Sequence, residues 1–542
     1  MTEHFAQLMK QDFADLDSAV GSWKKLAGAL TNTQTGSGRR VTGPLHKAGW
    51  SGTSASYGFD AMEATESKLG TGRTNAQLIA TTLDTLNTKM QAAQRKLRAA
   101  VADAEAAGHT VRDDGWVEPK QAVDPKYHND PDYADIQRDA NSGLGGFRAR
   151  IDAAVLEAES ASNEGAEVLR QIDPFDLDKR YGGAHAQEDA ARVAAFAGID
   201  KKDIPDGTDP QRSADWWKGL DEEQQRLYLA AYPEQIGGLD GLPTTTRDQA
   251  NRTVLDMRLN DYALREGSLG YHDRSSYRGL QAMKDRLDKS DSAPEHKQLY
   301  LLGFSTEKDG RAIVAVGNPD TAKHTAVSVP GTSNQLDNFG DSITRAEKLQ
   351  DASDRTPGRG TDVAVIAWLD YDAPEATVDP SKPTEFNVNL GVTTPGRAED
   401  DAETLRDFTG GLRASHQGEP THLTVIGHSY GSTMVGTADS GGKGLGADDM
   451  IVVGSPGLNV DRADQLNVSP SRLWVGAAED DTVVNWTSDK TLGENPADPA
   501  FGGQQMYVDT SGHSGYWDDG SQSLENQGRI IAGLTPDNTP RS

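Results

Sequence analysis

Ser429 sits in the pentapeptide Gly427-His428-Ser429-Tyr430-Gly431, directly after the apolar run Leu423 to Ile426. A serine hydroxyl is a poor nucleophile near neutral pH; it needs a base for its proton, and the base needs a fixed tautomer. Gly-x-Ser-x-Gly is the pattern of a nucleophile elbow, in which the serine occupies a tight strand-to-helix turn with a strained backbone. The flanking glycines, lacking Cβ, let strand and helix approach closely. Leu423 to Ile426 reads as the buried strand, and Ser432-Thr-Met-Val-Gly436 can begin the helix. The N-terminus of such a helix offers free N–H groups to an oxyanion.

The remaining groups of a Ser-acid-His arrangement should follow in that order. The run Leu473-Trp-Val475 reads as a strand, and Glu479-Asp480-Asp481 follow it before Thr-Val-Val484. Asp481 is the expected acid, because the adjoining apolar residues anchor it; Asp480 is its competitor. One histidine lies beyond them, His513, in the glycine-rich Thr510-Ser-Gly-His-Ser-Gly-Tyr516. For an oxyanion hole the expected donors are the N–H of Tyr430 and that of Thr332, in the turn after Val327-Ser-Val329.

These groups need a scaffold. After Asp291, short apolar runs occur at Leu299–Phe304, Ala312–Val316, Ala326–Val329, Val363–Trp368, Leu423–Ile426, Met450–Val453 and Leu473–Val475, with a last strand at Gln505 to Val508. Helix-compatible segments such as Asp341–Gln350 and Asp401–Leu412 lie between them. Strands alternating with helices predict an α/β fold, a mostly parallel sheet with helices on both faces. Before it the chain reads as all-α. The expected division is a helical hairpin over 1–118, a helical linker or cap over 119–290, and the catalytic domain over 291–542.

Phe5, Met9, Phe13, Leu16, Val20, Trp23 and Leu30 keep a three-four-seven spacing, one amphipathic helix. A polar link from Thr31 to Gly43 precedes Trp50-Ser-Gly52. A second helix runs to about Ala107, carried by Leu83, Leu86, Met90, Ala93, Leu97 and Val101, with Gly70 and Gly72 as a weak point. Val111 to Val117 reads as a small hairpin with Asp114-Gly115 supplying positive φ. Pro119 to Pro131 is linker-like, and helical patterning resumes through Ile172 and from Glu188 to Phe196. Trp216 and Trp217, beside a helical run, are expected to anchor that helix rather than to bind a ligand.

The 542 residues carry a formal charge of −29 and 35% hydrophobic residues, enough length for two to four domains. That acidity disfavours nucleic acid and anionic membranes as partners, since phosphate binding needs clustered Lys and Arg. No cysteine is present, which removes disulfides, thiolate nucleophiles and cysteine-ligated zinc. No apolar run approaches the roughly 18 residues needed to span a bilayer. The N-terminus lacks the charged and apolar regions of a signal peptide. A cytoplasmic location, or export by a non-classical route, is expected. The acidic runs near Asp480 and Asp518-Asp519 lack the ligand spacing of a calcium loop, and no metal or cofactor is expected.

Two resemblances add to this reading. The first hundred residues, through Trp50, Gly52 and the helix pair, resemble the Trp-x-Gly helical-hairpin proteins of type VII secretion. Those usually carry Tyr-x-x-x-Asp/Glu after the second helix; here Tyr127 is followed by Pro131 and Tyr133 by Gln137. Such a hairpin must bury its stripes against each other or against a helical partner; an intramolecular helical module is the other reading. From about Trp216 onward the chain resembles a bacterial, mainly actinobacterial, α/β-hydrolase family whose substrates are generally unassigned. The matching pieces are Pro233…Gly241-Leu-Pro243 with Arg247…Asn251, Val329-Pro-Gly-Thr332, Trp368…Tyr371-Asp-Ala-Pro374, Gly427 to Gly431, Gly454-Ser-Pro-Gly457 and His513-Ser-Gly-Tyr516. It implies Ser429 as nucleophile. The resulting expectation is a serine hydrolase acting on a small-molecule carboxylic ester through an acyl-enzyme. A serine peptidase or acyltransferase is an alternative, as is an interaction or secretion protein whose helical half is the functional part.

Overall fold

The computed structural model describes residues 2–37, 41, 44–45, 48–119, 124, 126, 128–172, 184–356, 362–375, 390–486 and 491–540. Parts of the expected links at 31–43 and 119–131, Tyr127 among them, lie outside the described residues. The chain divides into two compact units, 1–200 and 201–542. The boundary read at 290 therefore falls inside the second unit.

The first unit is built on helices α1 (Thr2–Lys10), α2 (Ala14–Ser37) and α3 (Thr53–Ala106), followed by α4 (Tyr133–Ala140), α5 (Leu144–Gln171) and α6 (Ala184–Phe196). The 54-residue α3 passes through Gly70 and Gly72 without a break, and packs along both α2 and α5. At ~1.5 Å per residue it is about 80 Å long. Its start needs glycine twice: Gly52, just before the helix, has φ 97°, and a Cβ on Gly58, within the helix, would sit 2.3 Å from the Trp50 indole. Trp50 thus lies across Gly58, its ring 5.3 Å from that of Phe59. The small hairpin pairs β1 (Thr110–Val111) with β2 (Val117–Glu118) antiparallel. Among its turn residues Gly115 alone takes positive φ, 82°; the expectation of a positive φ at Asp114 is not met, because Gly115 N–H closes the turn onto the Arg112 carbonyl.

The second unit opens with α7 (Pro210–Gly219), α8 (Glu222–Ala231), α9 (Pro233–Gly238), α10 (Thr244–Leu264) and α11 (Tyr271–Ser290). Among the described residues eight strands follow: β3 (Leu299–Ser305), β4 (Arg311–Val316), β5 (His324–Val329), β6 (Val363–Leu369), β7 (His422–His428), β8 (Asp449–Val453), β9 (Leu473–Gly476) and β10 (Gln504–Met506). Their order across the sheet is β10-β9-β8-β7-β5-β6-β4-β3, and β4 alone runs against its neighbours. Helices α12 (Gly340–Asp354) and α15 (Gln522–Ile531) pack as one pair; α13 (Gly396–Ser415) and α14 (Tyr430–Ser440) form another. Every residue of β6 and of β8 is buried, as strands covered on both faces require.

Helices α7 to α11 are part of this packing. Trp217 is buried, and the Trp216 ring meets Tyr228 edge-on at 4.9 Å, while α7 rests on α13. The α10 side chains also bond the main chain of β3: Asp248 accepts from Leu301 N–H at 2.7 Å, Asn251 donates to the Leu301 carbonyl at 3.1 Å, and Arg252 donates to that of Leu299 at 2.9 Å. An edge strand otherwise offers unpaired polar groups to another chain, and α10 supplies partners for them. At the N-terminus of α10, the buried Asp320 accepts from Thr244 N–H (2.6 Å) and from the Ser415 hydroxyl (2.8 Å).

Candidate active site

β5, β7, β8 and β9 are neighbours in the sheet, and their C-terminal ends lie where the strand order reverses direction and α/β sheets place their ligands. At the end of β7 the chain turns through Ser429, with φ 54° and ψ −131°, directly into α14. That conformation is costly for a residue with a Cβ and persists because its surroundings fix it. Ser429 N–H bonds the Val453 carbonyl on β8 at 3.1 Å. Both flanking glycines are sterically required. A Cβ at Gly427 would lie 2.5 Å from Ser432 Cα, and one at Gly431 would lie 2.3 Å from the Val329 carbonyl oxygen.

The loop after β5, Pro330-Gly331-Thr332, passes over the serine. A Cβ on Gly331 would stand 2.6 Å from Ser429 Cβ and 3.1 Å from its Oγ. The loop is held from outside. Tyr371 donates its hydroxyl to the Pro330 carbonyl (2.7 Å), and Asn334 Nδ2 donates to the carbonyls of Gly331 (3.0 Å) and Thr332 (3.1 Å). In a trans peptide C=O and N–H point oppositely. The Gly331 carbonyl aimed at Asn334 therefore turns the Thr332 N–H away from that side chain. Tyr430, the first residue of α14, is buried, and its hydroxyl donates to the Thr394 carbonyl at 2.7 Å.

Asp481 and His513 are brought together. His513 Nδ1 lies 2.9 and 3.0 Å from the two Asp481 carboxylate oxygens. Asp481 is fully buried and accepts two further bonds, from Tyr516 Oη at 2.6 Å and Val483 N–H at 2.9 Å. Burial acts to raise its pKa, but the bonds from His513 and Tyr516 outweigh that and hold it at about 2. A bare Asp481 carboxylate fixes the His513 proton on Nδ1 and leaves Nε2 as the basic atom. The pair rests on Gly454, which follows β8 with φ 58°. A Cβ there would come within 3.0 Å of Asp481 Oδ2 and 3.1 Å of His513 Nδ1. Asp480 points elsewhere and accepts the Gly512 N–H at 2.7 Å. It tethers the His513 loop without touching the imidazole. Among the described residues no hydrogen bond joins Ser429 Oγ to the His513 ring, and His513 bonds Asp481 and His428.

Several contributors escaped the sequence reading. Tyr516, Tyr371 and Gly454 stood in the motifs that carried the family resemblance, yet no spacing rule says what they touch. Asn334 had no signal beyond its closeness to Thr332. His428 carries no signal beyond its place in the pentapeptide; it is buried, and its Nε2–H donates to the His513 carbonyl at 2.8 Å.

A mostly parallel eight-stranded sheet, this strand-turn-helix and the groups at its strand ends define an α/β-hydrolase domain in the C-terminal region, behind a helical N-terminal region. Residues 306–489 match the profile of a family described as alpha/beta hydrolase. That match includes Ser429 and Asp481 and ends before His513. Similar proteins occur in mycobacteria. Uncharacterized protein Rv2079 of Mycobacterium tuberculosis (strain ATCC 25618 / H37Rv) is 31% identical over 61% of this chain and 56% of its own length. Uncharacterized protein Mb0988c of Mycobacterium bovis is 29% identical over 42% of this chain and 82% of its own. The chain thus spans about half the length of the M. tuberculosis relative. Among the described residues no helix is long and apolar enough to cross a membrane.

Proposed function

We propose that the C-terminal unit is a serine hydrolase acting on carboxylic esters through an acyl-enzyme. Ser429 Oγ attacks the ester carbonyl carbon while its proton passes to His513 Nε2. Asp481 steadies the imidazolium that forms. The Tyr430 and Thr332 N–H groups receive the oxyanion. Collapse of the tetrahedral intermediate breaks the bond to the alcohol, which leaves with the His513 proton. Water, deprotonated by the same ring, then attacks the acyl-enzyme, and Ser429 leaves with that proton. A serine–imidazole hydrogen bond of this kind often tightens only in the Michaelis complex. This chemistry calls for no metal or cofactor and for a small-molecule ester substrate.

The observation that carries the reading is the buried Asp481 bonded to His513 Nδ1 through both oxygens, packed on Gly454 beside the strained Ser429. The test is covalent labelling of the full chain with a fluorophosphonate, then turnover of p-nitrophenyl esters of increasing chain length. Wild type should label at Ser429 and release nitrophenol, and Ser429→Ala should do neither. Undiminished labelling of the alanine variant would end the proposal. Labelling without ester turnover would move the activity toward peptide hydrolysis or acyl transfer.

A further inference from the structure

His428 is enclosed by the machinery just described. Its ring centroid lies 4.8 Å from that of His513, with the planes 34° apart, and 4.9 Å from that of Trp517, nearly perpendicular. Nε2 faces the His513 carbonyl at 2.8 Å; a carbonyl accepts and cannot donate, so the proton is on Nε2. Nδ1 is buried without a partner among the described residues. The titratable and charged groups around the ring are His513 and Tyr516 from the loop after β10, Asp481 from the loop after β9, and Arg345 from α12. The Arg345 guanidinium lies 4.6 Å from the centre of the Trp517 ring. Burial first, then the positive charges of His513 and Arg345, push the pKa of His428 down to about 3. A second proton would go to Nδ1, where nothing accepts it.

We propose that His428 is a positioning residue for the hydrolysis reaction, its Nε2–H clamping the main chain of His513 while its ring backs the His513 imidazole. The inference rests on the serine-hydrolase reading. Asp481 fixes the His513 ring through Nδ1; His428 fixes the main-chain end of the same residue. With both ends held, Nε2 of His513 has one direction in which to meet Ser429. A ring that stays neutral while His513 gains and loses its proton adds no opposing charge at the moment imidazolium forms. The nucleophile and the anchor of its base are thus consecutive residues, at the end of a strand buried along most of its length.

The test compares two polar replacements in the full chain. A Gln amide reaches the place of Nε2; an Asn amide reaches only the place of Nδ1. His428→Gln should keep kcat for p-nitrophenyl butyrate within about threefold of wild type. His428→Asn should lower it by about tenfold to a hundredfold, the scale set by ångström-level misplacement of a reacting group. KM should stay within about twofold in both, and the rate of fluorophosphonate labelling should fall with kcat. Equal kcat in the Gln and Asn variants, whether both normal or both low, would overturn the positioning role. So would a loss in the Asn variant that appears in KM instead. His513→Ala separates the two proposals. If wild type labels and His513→Ala does not, the hydrolase reading stands and the Gln–Asn comparison judges His428 alone. If wild type takes no label, or His513→Ala labels normally, the hydrolase reading falls and this inference with it.

Discussion

The two units bury their apolar surface in different ways. In residues 201–542 a central sheet satisfies its own backbone, so β6 and β8 are buried at every position and one large core cluster runs through Leu301, Val314, Ile366, Ile426 and Val452. In residues 1–200 each helix closes its own hydrogen bonds, and what is buried is a narrow seam. Ala93, Leu97, Ala100 and Ala104 of α3 meet Ile151, Ala154 and Ala158 of α5. Polar groups share that interior: Gln94 donates to the Leu8 and Gln11 carbonyls. A sheet edge or a strand end is a place where the backbone must turn within a packed surround, and there a side chain can be held in a strained, defined pose. A helix seam offers small residues at close approach and no such turn. Ser429, Asp481 and His513 all lie at strand exits of the second unit.

The largest way to break the comparison is to cut it in the wrong place. A 201–542 fragment should fold and label at Ser429 as the full chain does, because every proposed group lies inside it. A 291–542 fragment should fail to fold. It loses α10 and α11, and with them Asp248, Asn251 and Arg252 from the β3 edge and Thr244 from Asp320. Circular dichroism and labelling of both fragments decide the point. A folded, labelled 291–542 fragment would place α10 and α11 outside the structural unit.

Within the second unit the two adjacent acids should separate sharply. Asp481→Asn places an amide where a buried carboxylate holds His513 Nδ1–H, and in the serine-protease template that change costs about four orders of magnitude in kcat. Asp480→Asn should cost only a few-fold, because an Asn oxygen still accepts the Gly512 N–H. Steady-state ester hydrolysis by the two variants is the measurement. A larger loss in the Asp480 variant would transfer the orienting role to Asp480.

The strands were legible because apolar, β-branched runs have few other readings, and all eight form within about two residues of their expected ends. Gly427 and Gly431 were legible as well, since the pentapeptide encodes a steric need local to five residues. What could not be read is contact between distant loops. That His428 bonds His513, 85 residues on, or that Asn334 turns the Thr332 peptide, depends on the path of loops that carry no periodicity. Composition changes at Asp291, where strands begin, whereas packing changes at residue 200, because α7 to α11 serve the sheet although they are helices.

A substitution in the helical seam should leave the chemistry untouched. Leu97→Ala removes a fully buried side chain from α3. The loss should be about 3 kcal/mol of the first unit's stability, in the range for leucine deletions from cores. Urea unfolding of wild type and variant, with fluorophosphonate labelling at each concentration, would show the first unit melting earlier at unchanged Ser429 reactivity. A parallel loss of labelling would mean that the units unfold as one.

The smallest expected effect concerns acid. His428 has a folded pKa of about 3 against an ordinary 6.5, so between those values the unfolded chain binds a proton that the folded site refuses. The stabilisation is complete above pH 6.5 and declines as the pH falls toward 3. At pH 5 the loss from this ring alone is about 2 kcal/mol. Asp481 acts in the same sense at lower pH: its folded value of about 2 against 3.8 gives a stabilisation complete above 3.8 and lost as the pH falls through 2. Between pH 7.5 and 5 Asp481 stays ionised in both states of the 201–542 fragment, and comparison with His428→Gln cancels the groups common to both chains, Asp291 at about 6 among them. His428→Gln carries no titrating ring and should lose about 2 kcal/mol less than wild type over that interval. The same pH dependence in wild type and variant would mean that the ring protonates in the folded site, and that its neutrality is not what the surrounding His513, Arg345 and burial impose.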